Sequence, residues 1–164
     1  MSDPAPLPRP DRRRSLVLHV NGRAVAADIA VEATLAQLLR ENLGLTGTKI
    51  ACDQAACGAC TIILDGRPVF ACHTLAAQLD GSAIETIEGL ADGEDLHPLQ
   101  AAFIAHDALQ CGFCTPGMIL ALKAAIDDGM PATRAALAGA ISGNLCRCGA
   151  YEHIIDAALT AISR

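Results

Sequence analysis

A chain of 164 residues with a formal net charge of −6, 52% hydrophobic residues and eight cysteines is long enough for one ordinary domain or two small ones. Three Phe, one Tyr and no Trp on an acidic chain exclude a nucleic-acid groove, which needs basic surface and stacking rings. Its apolar runs are short and Lys123 interrupts the longest, so no membrane span is expected.

Residues 1–14 hold four prolines and no hydrophobic periodicity, and read as a disordered tail. Arg12-Arg13-Arg14 leads into a strand-like run and not into the apolar core of a signal peptide, so a cytoplasmic, reducing location is expected. There, clustered cysteines bind metal more often than one another. From residue 15 the pattern turns to strand. Leu16-Val17-Leu18-His19-Val20 and residues 23–29 flank Asn21-Gly22, two residues that tolerate the positive φ of a tight hairpin turn. Leu35, Leu38 and Leu39 then predict a short amphipathic helix over 34–39. The small-residue segment 49–60 carries Cys52, Cys57 and Cys60. After it, residues 61–64 and 68–70 around Asp65-Gly66 predict a second hairpin that runs straight to Cys72. A short helix is expected from His73 and a last strand over 83–87. Strand pair, helix, loop, strand pair and strand is the order of a β-grasp ferredoxin.

Beyond an acidic linker at 88–96 no strand signal remains. Pro98 opens a helix with Leu99, Phe103, Ile104 and Leu109 as its apolar side. Thr115-Pro116 offers an N-cap and a first-turn proline for a helix through Ile126, closed by Gly129. Met118, Ile119, Leu120, Leu122 and Ile126 leave that helix polar almost nowhere but at Lys123, which predicts a central, buried helix. Residues 133–141 and 151–162 supply two more. The expected fold class is α+β: a β-grasp unit over 15–87, then an all-α four-helix unit over 97–164.

The cysteines fall into two sets of four. Cys52, Cys57, Cys60 and Cys72 follow the C-x4-C-x2-C spacing with a distant fourth thiol that plant-type [2Fe–2S] ferredoxins use. Alanines and glycines between them let the backbone wrap closely and aim amides at sulfur, which helps set a cluster's potential. Zinc is the competing reading, but zinc frameworks commonly pair two short C-x2-C knuckles. Cys111 and Cys114 need two further thiols, and Cys146 and Cys148 are the natural ones. Taken alone, this second set also admits a zinc site or a reactive dithiol. Beside a first complete set, it suggests a two-step relay for single electrons.

No glycine-rich phosphate loop, Ser/His/Asp arrangement or H-E-x-x-H site accompanies the thiols. His19, His73, His97, His106 and His153 are scattered and read as surface or capping residues. His73 directly follows Cys72, which is not the spacing of a Rieske centre. Arg147 either offsets cluster charge or faces solvent. The chain reads as a wire without a substrate site of its own, with a free-standing two-cluster carrier as the other reading.

The segments Lys49-Ile50-Ala51-Cys52, CGACT, LDG, HPLQ, QCGFCTPGM and GNLCRC resemble the small iron–sulfur subunit of molybdenum hydroxylases of the xanthine oxidase family, over residues 15–163. QCGFCTPGM with GNLCRC is the specific part of the likeness. The resemblance implies a β-grasp domain and a four-helix domain, each holding one [2Fe–2S] cluster. It also implies a large partner subunit with a molybdopterin cofactor, and an FAD-binding medium subunit or a cytochrome as acceptor, in a heterotrimer or a dimer of heterotrimers. By the same pattern Gln110 and Cys148 lie against the partner's pterin. The alternative for Gln110 is a helix-end glutamine facing solvent. Ala51 and Ala55 stand where that family commonly has glycine, and Gly149-Ala150 replace a frequent Thr-Gly. A methyl group at Ala51 or Ala55 disfavours positive φ, so a slightly altered loop is expected there.

Overall fold

A computed structural model describes residues 12–163. Most of the predicted tail lies outside those residues, but Arg13 and Arg14 do not. They open strand β1 (Arg13–Val20), two residues before the expected start, because Arg13 pairs with Ala30 and its guanidinium meets Asp28 at 2.6 Å. Strand β2 (Arg23–Ala30) returns antiparallel through Asn21 and Gly22, both at positive φ as the hairpin reading requires. Leu16, Leu18 and Val20 of β1 point inward and their neighbours outward, the two-residue alternation of a half-buried strand.

Thr34 and Gln37 form a reciprocal capping box at helix α1 (Leu35–Gln37). The element departs from the expected helix. It widens over Leu38–Asn42 into a π-type turn, with the Leu43 N–H reaching back five residues to the Leu38 carbonyl. The cause is a contact with the next loop: the Arg40 guanidinium donates to the carbonyls of Thr46 and Thr48, both at 2.8 Å, and draws the approach to Cys52 against the helix.

Strands β3 (Thr61–Leu64) and β4 (Arg67–Phe70) make the second hairpin, and β5 (Ala83–Glu85) completes a mixed sheet in the order β2-β1-β5-β3-β4. β5 runs parallel to β1 and antiparallel to β3. It stops two residues short of the expected end because the Thr86 N–H is taken by the Asn21 side chain, 2.9 Å away. The helix expected from His73 is instead two single 3₁₀ turns, Ala71–His73 and Ala76–Gln78, the first of which buries Cys72.

Four helices follow: α2 (Pro98–Ala105), α3 (Thr115–Asp127), α4 (Arg134–Ala140) and α5 (Tyr151–Ile162). The predicted apolar side of α2 is half right. Leu99 and Phe103 are buried, whereas Ile104 is 62% and Leu109 38% exposed. Thr115 is not the N-cap of α3. That position belongs to Cys114, whose carbonyl already accepts from the Met118 N–H, so the helix begins one residue earlier than its sequence suggests.

Helix α3 explains its own composition. Leu120 and Ala124 enter the core beneath the sheet, while Met118, Ile119, Ala121 and Leu122 enter the core among the helices. An element shared by two cores has no face left for polar residues. Its one cation, Lys123, is half-buried and spans the two units, reaching Glu85 of β5 at 3.1 Å and Asp127 at 2.7 Å. The junction with the acidic connector is anchored as well: Ile87, just before it, and Leu90, within it, pack against both cores.

Candidate metal centres

The first set of thiols sits on a loop whose backbone is bent three times into the left-handed region, at Asp53 (φ 55°), Ala55 (φ 57°) and Gly58 (φ 70°). Ala55 thus adopts the positive φ that its methyl group disfavours. Ala51 is not among the positive-φ residues. The bends turn backbone donors inward. The N–H groups of Gln54 and Ala56 lie 3.5 and 3.3 Å from the Cys52 sulfur. Those two donors, Gln54 first, pull the Cys52 thiol down to about 7. Cys60 and Cys72 are buried, and burial, with the Cys72 thiol beside it, pushes Cys60 up to about 12. The four thiols therefore stand as two neighbouring couples, Cys52 with Cys57 and Cys60 with Cys72, the outer couple half-exposed and the inner one enclosed.

The second set is assembled across the helical unit. Cys111 and Cys114 precede α3, and Cys146 and Cys148 lie between α4 and α5. The structure brings them together: the sulfurs of Cys111 and Cys148 are 3.6 Å apart, and Cys114 neighbours Cys146. Gly112 (φ 74°) and Gly149 (φ 77°) supply the turns that aim the two loops at each other. Burial, then the Cys146 thiol, pushes Cys114 up to about 12, while the Phe113 N–H pulls the exposed Cys111 down. Tyr151 props the second loop: its hydroxyl accepts from the Cys146 N–H at 2.8 Å and donates to the Asn144 carbonyl at 3.3 Å.

Two thiolates for each iron is what a [2Fe–2S] cluster takes, and neighbouring thiols with N–H donors aimed at sulfur match that donor set in both places. Gln110 is exposed beside Cys111, and Arg147 is exposed between Cys146 and Cys148. The histidines serve elsewhere. His97 caps α2 by accepting from the Leu99 N–H at 3.2 Å, and His106 contacts the Thr160 hydroxyl at 2.9 Å and offers its carbonyl to His153 at 3.0 Å. His19 and His73 are exposed.

Sequence reasoning missed the residues that join the two sites. The Leu145 N–H donates to the Cys57 carbonyl at 2.8 Å, and the buried Asn144 amide donates to the Gly58 carbonyl at 2.9 Å. Gly117 of α3 packs against the same turn so closely that a Cβ there would lie 2.5 Å from the Gly58 oxygen. A cavity of about 310 Å³ opens between the sets, lined by Ala51, Cys57, Cys111, Cys114, Leu145 and Cys146 among others. Asn144 and Gly117 stand inside the GNLCRC and QCGFCTPGM motifs, so their place was marked although their chemistry was not read.

Two family profiles match the chain, a 2Fe-2S iron-sulfur cluster binding domain over residues 18–91 and a [2Fe-2S] binding domain over residues 86–159. The aldehyde oxidoreductase iron-sulfur-binding subunit PaoA of Escherichia coli K12 is 44% identical, with the match covering 95% of this chain and 74% of that one. The nicotine 6-hydroxylase small subunit of Paenarthrobacter nicotinovorans is 46% identical, covering 94% and 93%. This chain belongs to the small iron–sulfur subunits of the molybdenum hydroxylases. A chain in the crystal structure of quinoline 2-oxidoreductase from Pseudomonas putida 86 superposes on 93% of this one, and over 94% of its own length, with a TM-score of 0.88 at 45% identity. Both profiles describe [2Fe-2S] binding, and neither describes zinc. Among the described residues no helix is long and apolar enough to cross a membrane.

Proposed function

We propose that this chain is the electron relay of a molybdenum-dependent oxidoreductase, carrying single electrons from a large catalytic partner through two [2Fe–2S] clusters to an FAD-binding subunit or a cytochrome. A bound [2Fe–2S] cluster accepts and returns one electron at a time. Cys52, Cys57, Cys60 and Cys72 hold the first, in a β-grasp domain over 15–87. Cys111, Cys114, Cys146 and Cys148 hold the second, in a four-helix domain over 97–164 that follows the connector at 88–96. The observation that carries the reading is the seam between the sets. Cys57 and Cys146 bear thiols of different sets, and one hydrogen bond, from the Leu145 N–H to the Cys57 carbonyl, joins their neighbouring backbone.

The exposed edges give the relay its direction. Cys111, with Gln110 and Phe113 beside it, faces outward from the helical domain, and there Gln110 and Cys148 meet the partner's molybdopterin. Cys52 and Cys57, half-exposed on the ferredoxin-like loop, face the acceptor. The protein's own part is to bind, space and shield the two sites, without a substrate pocket of its own, within a cytoplasmic heterotrimer or a dimer of heterotrimers. Affinity purification from the native host, with iron, sulfide, molybdenum and flavin counted, tests this. A large molybdenum-containing chain and about four irons per small subunit are expected. A chain that arrives alone with its irons complete is a free carrier instead.

A further inference from the structure

The seam between the two cysteine sites is built from more than packing. Three groups of the helical unit converge on the turn after Cys57: the Leu145 N–H on the Cys57 carbonyl, the Asn144 amide on the Gly58 carbonyl, and the bare Cα of Gly117 against the same Gly58 oxygen. The Asn144 side chain, 5% exposed, spends one N–H on Gly58 at 2.9 Å and the other on the Thr61 hydroxyl at 3.0 Å. Thr61 in turn donates that hydroxyl to Gly58 at 2.7 Å, which closes a three-membered network with every donor used. On its other side the Asn144 carbonyl accepts from Tyr151, whose oxygen holds the Cys146 N–H. Asn144 thus touches, by two separate routes, the turn that carries Cys57 and the loop that carries Cys146. Both of its amide hydrogens are thus engaged at the seam.

We propose that Asn144 is a positioning residue for electron transfer within the chain: its amide clamps the Gly58 turn to the Cys146 loop and so fixes the coupling between the two cluster sites. The step it governs is a one-electron exchange. The site of Cys111, Cys114, Cys146 and Cys148 is oxidised by one electron, and the site of Cys52, Cys57, Cys60 and Cys72 is reduced by one. No bond is made or broken and no proton moves, so the rate depends on the distance and contact between the sites. The Leu145–Cys57 hydrogen bond is a direct backbone link across that gap, and Asn144 is the residue that holds Leu145 in place. Without the buried amide, the Gly58 carbonyl and the Thr61 hydroxyl lose their donor from across the seam, and the two loops are free to part.

The inference rests on the two-cluster relay reading, and one experiment separates them. The chain is purified with its natural partners, reduced with dithionite, and studied by low-temperature electron paramagnetic resonance, with iron counted in the same samples. The unsubstituted chain is expected to give two distinct reduced signals split by their mutual magnetic interaction. Asn144→Asp keeps the shape and removes both donors. It is expected to keep its iron and both signals, to lose or markedly narrow the splitting, and to pass electrons between the sites several-fold more slowly. Thr61→Val removes only one arm of the clamp and should change the splitting in the same direction by less; if Asn144→Asp does not assemble, this variant decides. Unchanged splitting and rate in an iron-replete variant overturn the positioning role and leave the relay intact. A single signal from the unsubstituted chain overturns the relay, and the inference with it.

Discussion

The two cysteine sites reach the same donor count by opposite means. Cys52, Cys57 and Cys60 lie within nine residues of one another on a loop shaped by its own left-handed bends, and only Cys72 comes from farther along the chain. The second site draws Cys111 and Cys114 from the approach to α3, and Cys146 and Cys148 from the loop before α5, so its geometry exists only when the helices are packed. A loop-built site carries part of its shape in its own backbone, with Cys60 and Cys72 seated in the sheet core beneath it. A packing-built site inherits every error of the helices that bring its halves together. The shared helix α3, with Leu120 in one core and Leu122 in the other, lets the two be perturbed separately.

The largest expected effect is that of Cys148→Ala. It should remove the helical-domain cluster and leave the other, so iron falls from about four to about two per chain while one reduced signal survives. Electron flow from the catalytic partner should stop. Leu122→Ala, at a fully buried position of the helical core, should cost roughly 2–5 kcal/mol. Thermal loss of the second cluster should then precede that of the first, and Leu120→Ala should reverse the order. A change at the seam between the sites should weigh on both. Gly117→Ala drives a methyl group against the Gly58 carbonyl and should cost about 1–3 kcal/mol, read as a lowered melting temperature with both signals altered.

The smallest effect is one of pH. Burial, and then the charge of Lys123, hold the His97 imidazole below its ordinary value of 6.5. The unfolded chain therefore binds the proton more readily than the folded one. The contribution of His97 is complete above the unfolded value and is lost as pH falls through the lower folded value, where its Nδ1 can no longer accept from the Leu99 N–H. His97→Asn keeps a capping acceptor without the titration. Its unfolding free energy should vary less between about pH 5 and 7, by under about 1 kcal/mol. A slope identical to that of the unsubstituted chain would show that the cap does not titrate.

Much of the fold and of the cysteine sites is legible in the sequence, for reasons that differ by element. The hairpin at Asn21-Gly22 and helix α5 are marked by local signals, a turn that needs positive φ and an apolar period closed by its own ends. The breadth of α3's apolar surface announces a buried helix but not that it serves two cores. The expectations that failed depended on contacts made outside the element itself. Arg40 draws α1 into a π-type turn through Thr46 and Thr48, and Asn21 ends β5 by capturing the Thr86 N–H. Ala55 is misjudged by its Cβ alone, since the loop holds it at positive φ where the neighbouring amides, at Gln54 and Ala56, turn toward Cys52. The thiols themselves are plain in the spacing. Asn144 is not, because a buried amide between two loops leaves no periodic or spacing signal.

On the proposed reading, both sets of thiols hold a [2Fe–2S] cluster and act in series. A redox titration of the chain purified with its partners, followed by electron paramagnetic resonance, tests it most directly. Two separate reduced signals, each integrating to about one spin per chain with about four irons in total, are the predicted result. A single signal with half that iron, or a colourless chain holding zinc, would contradict it.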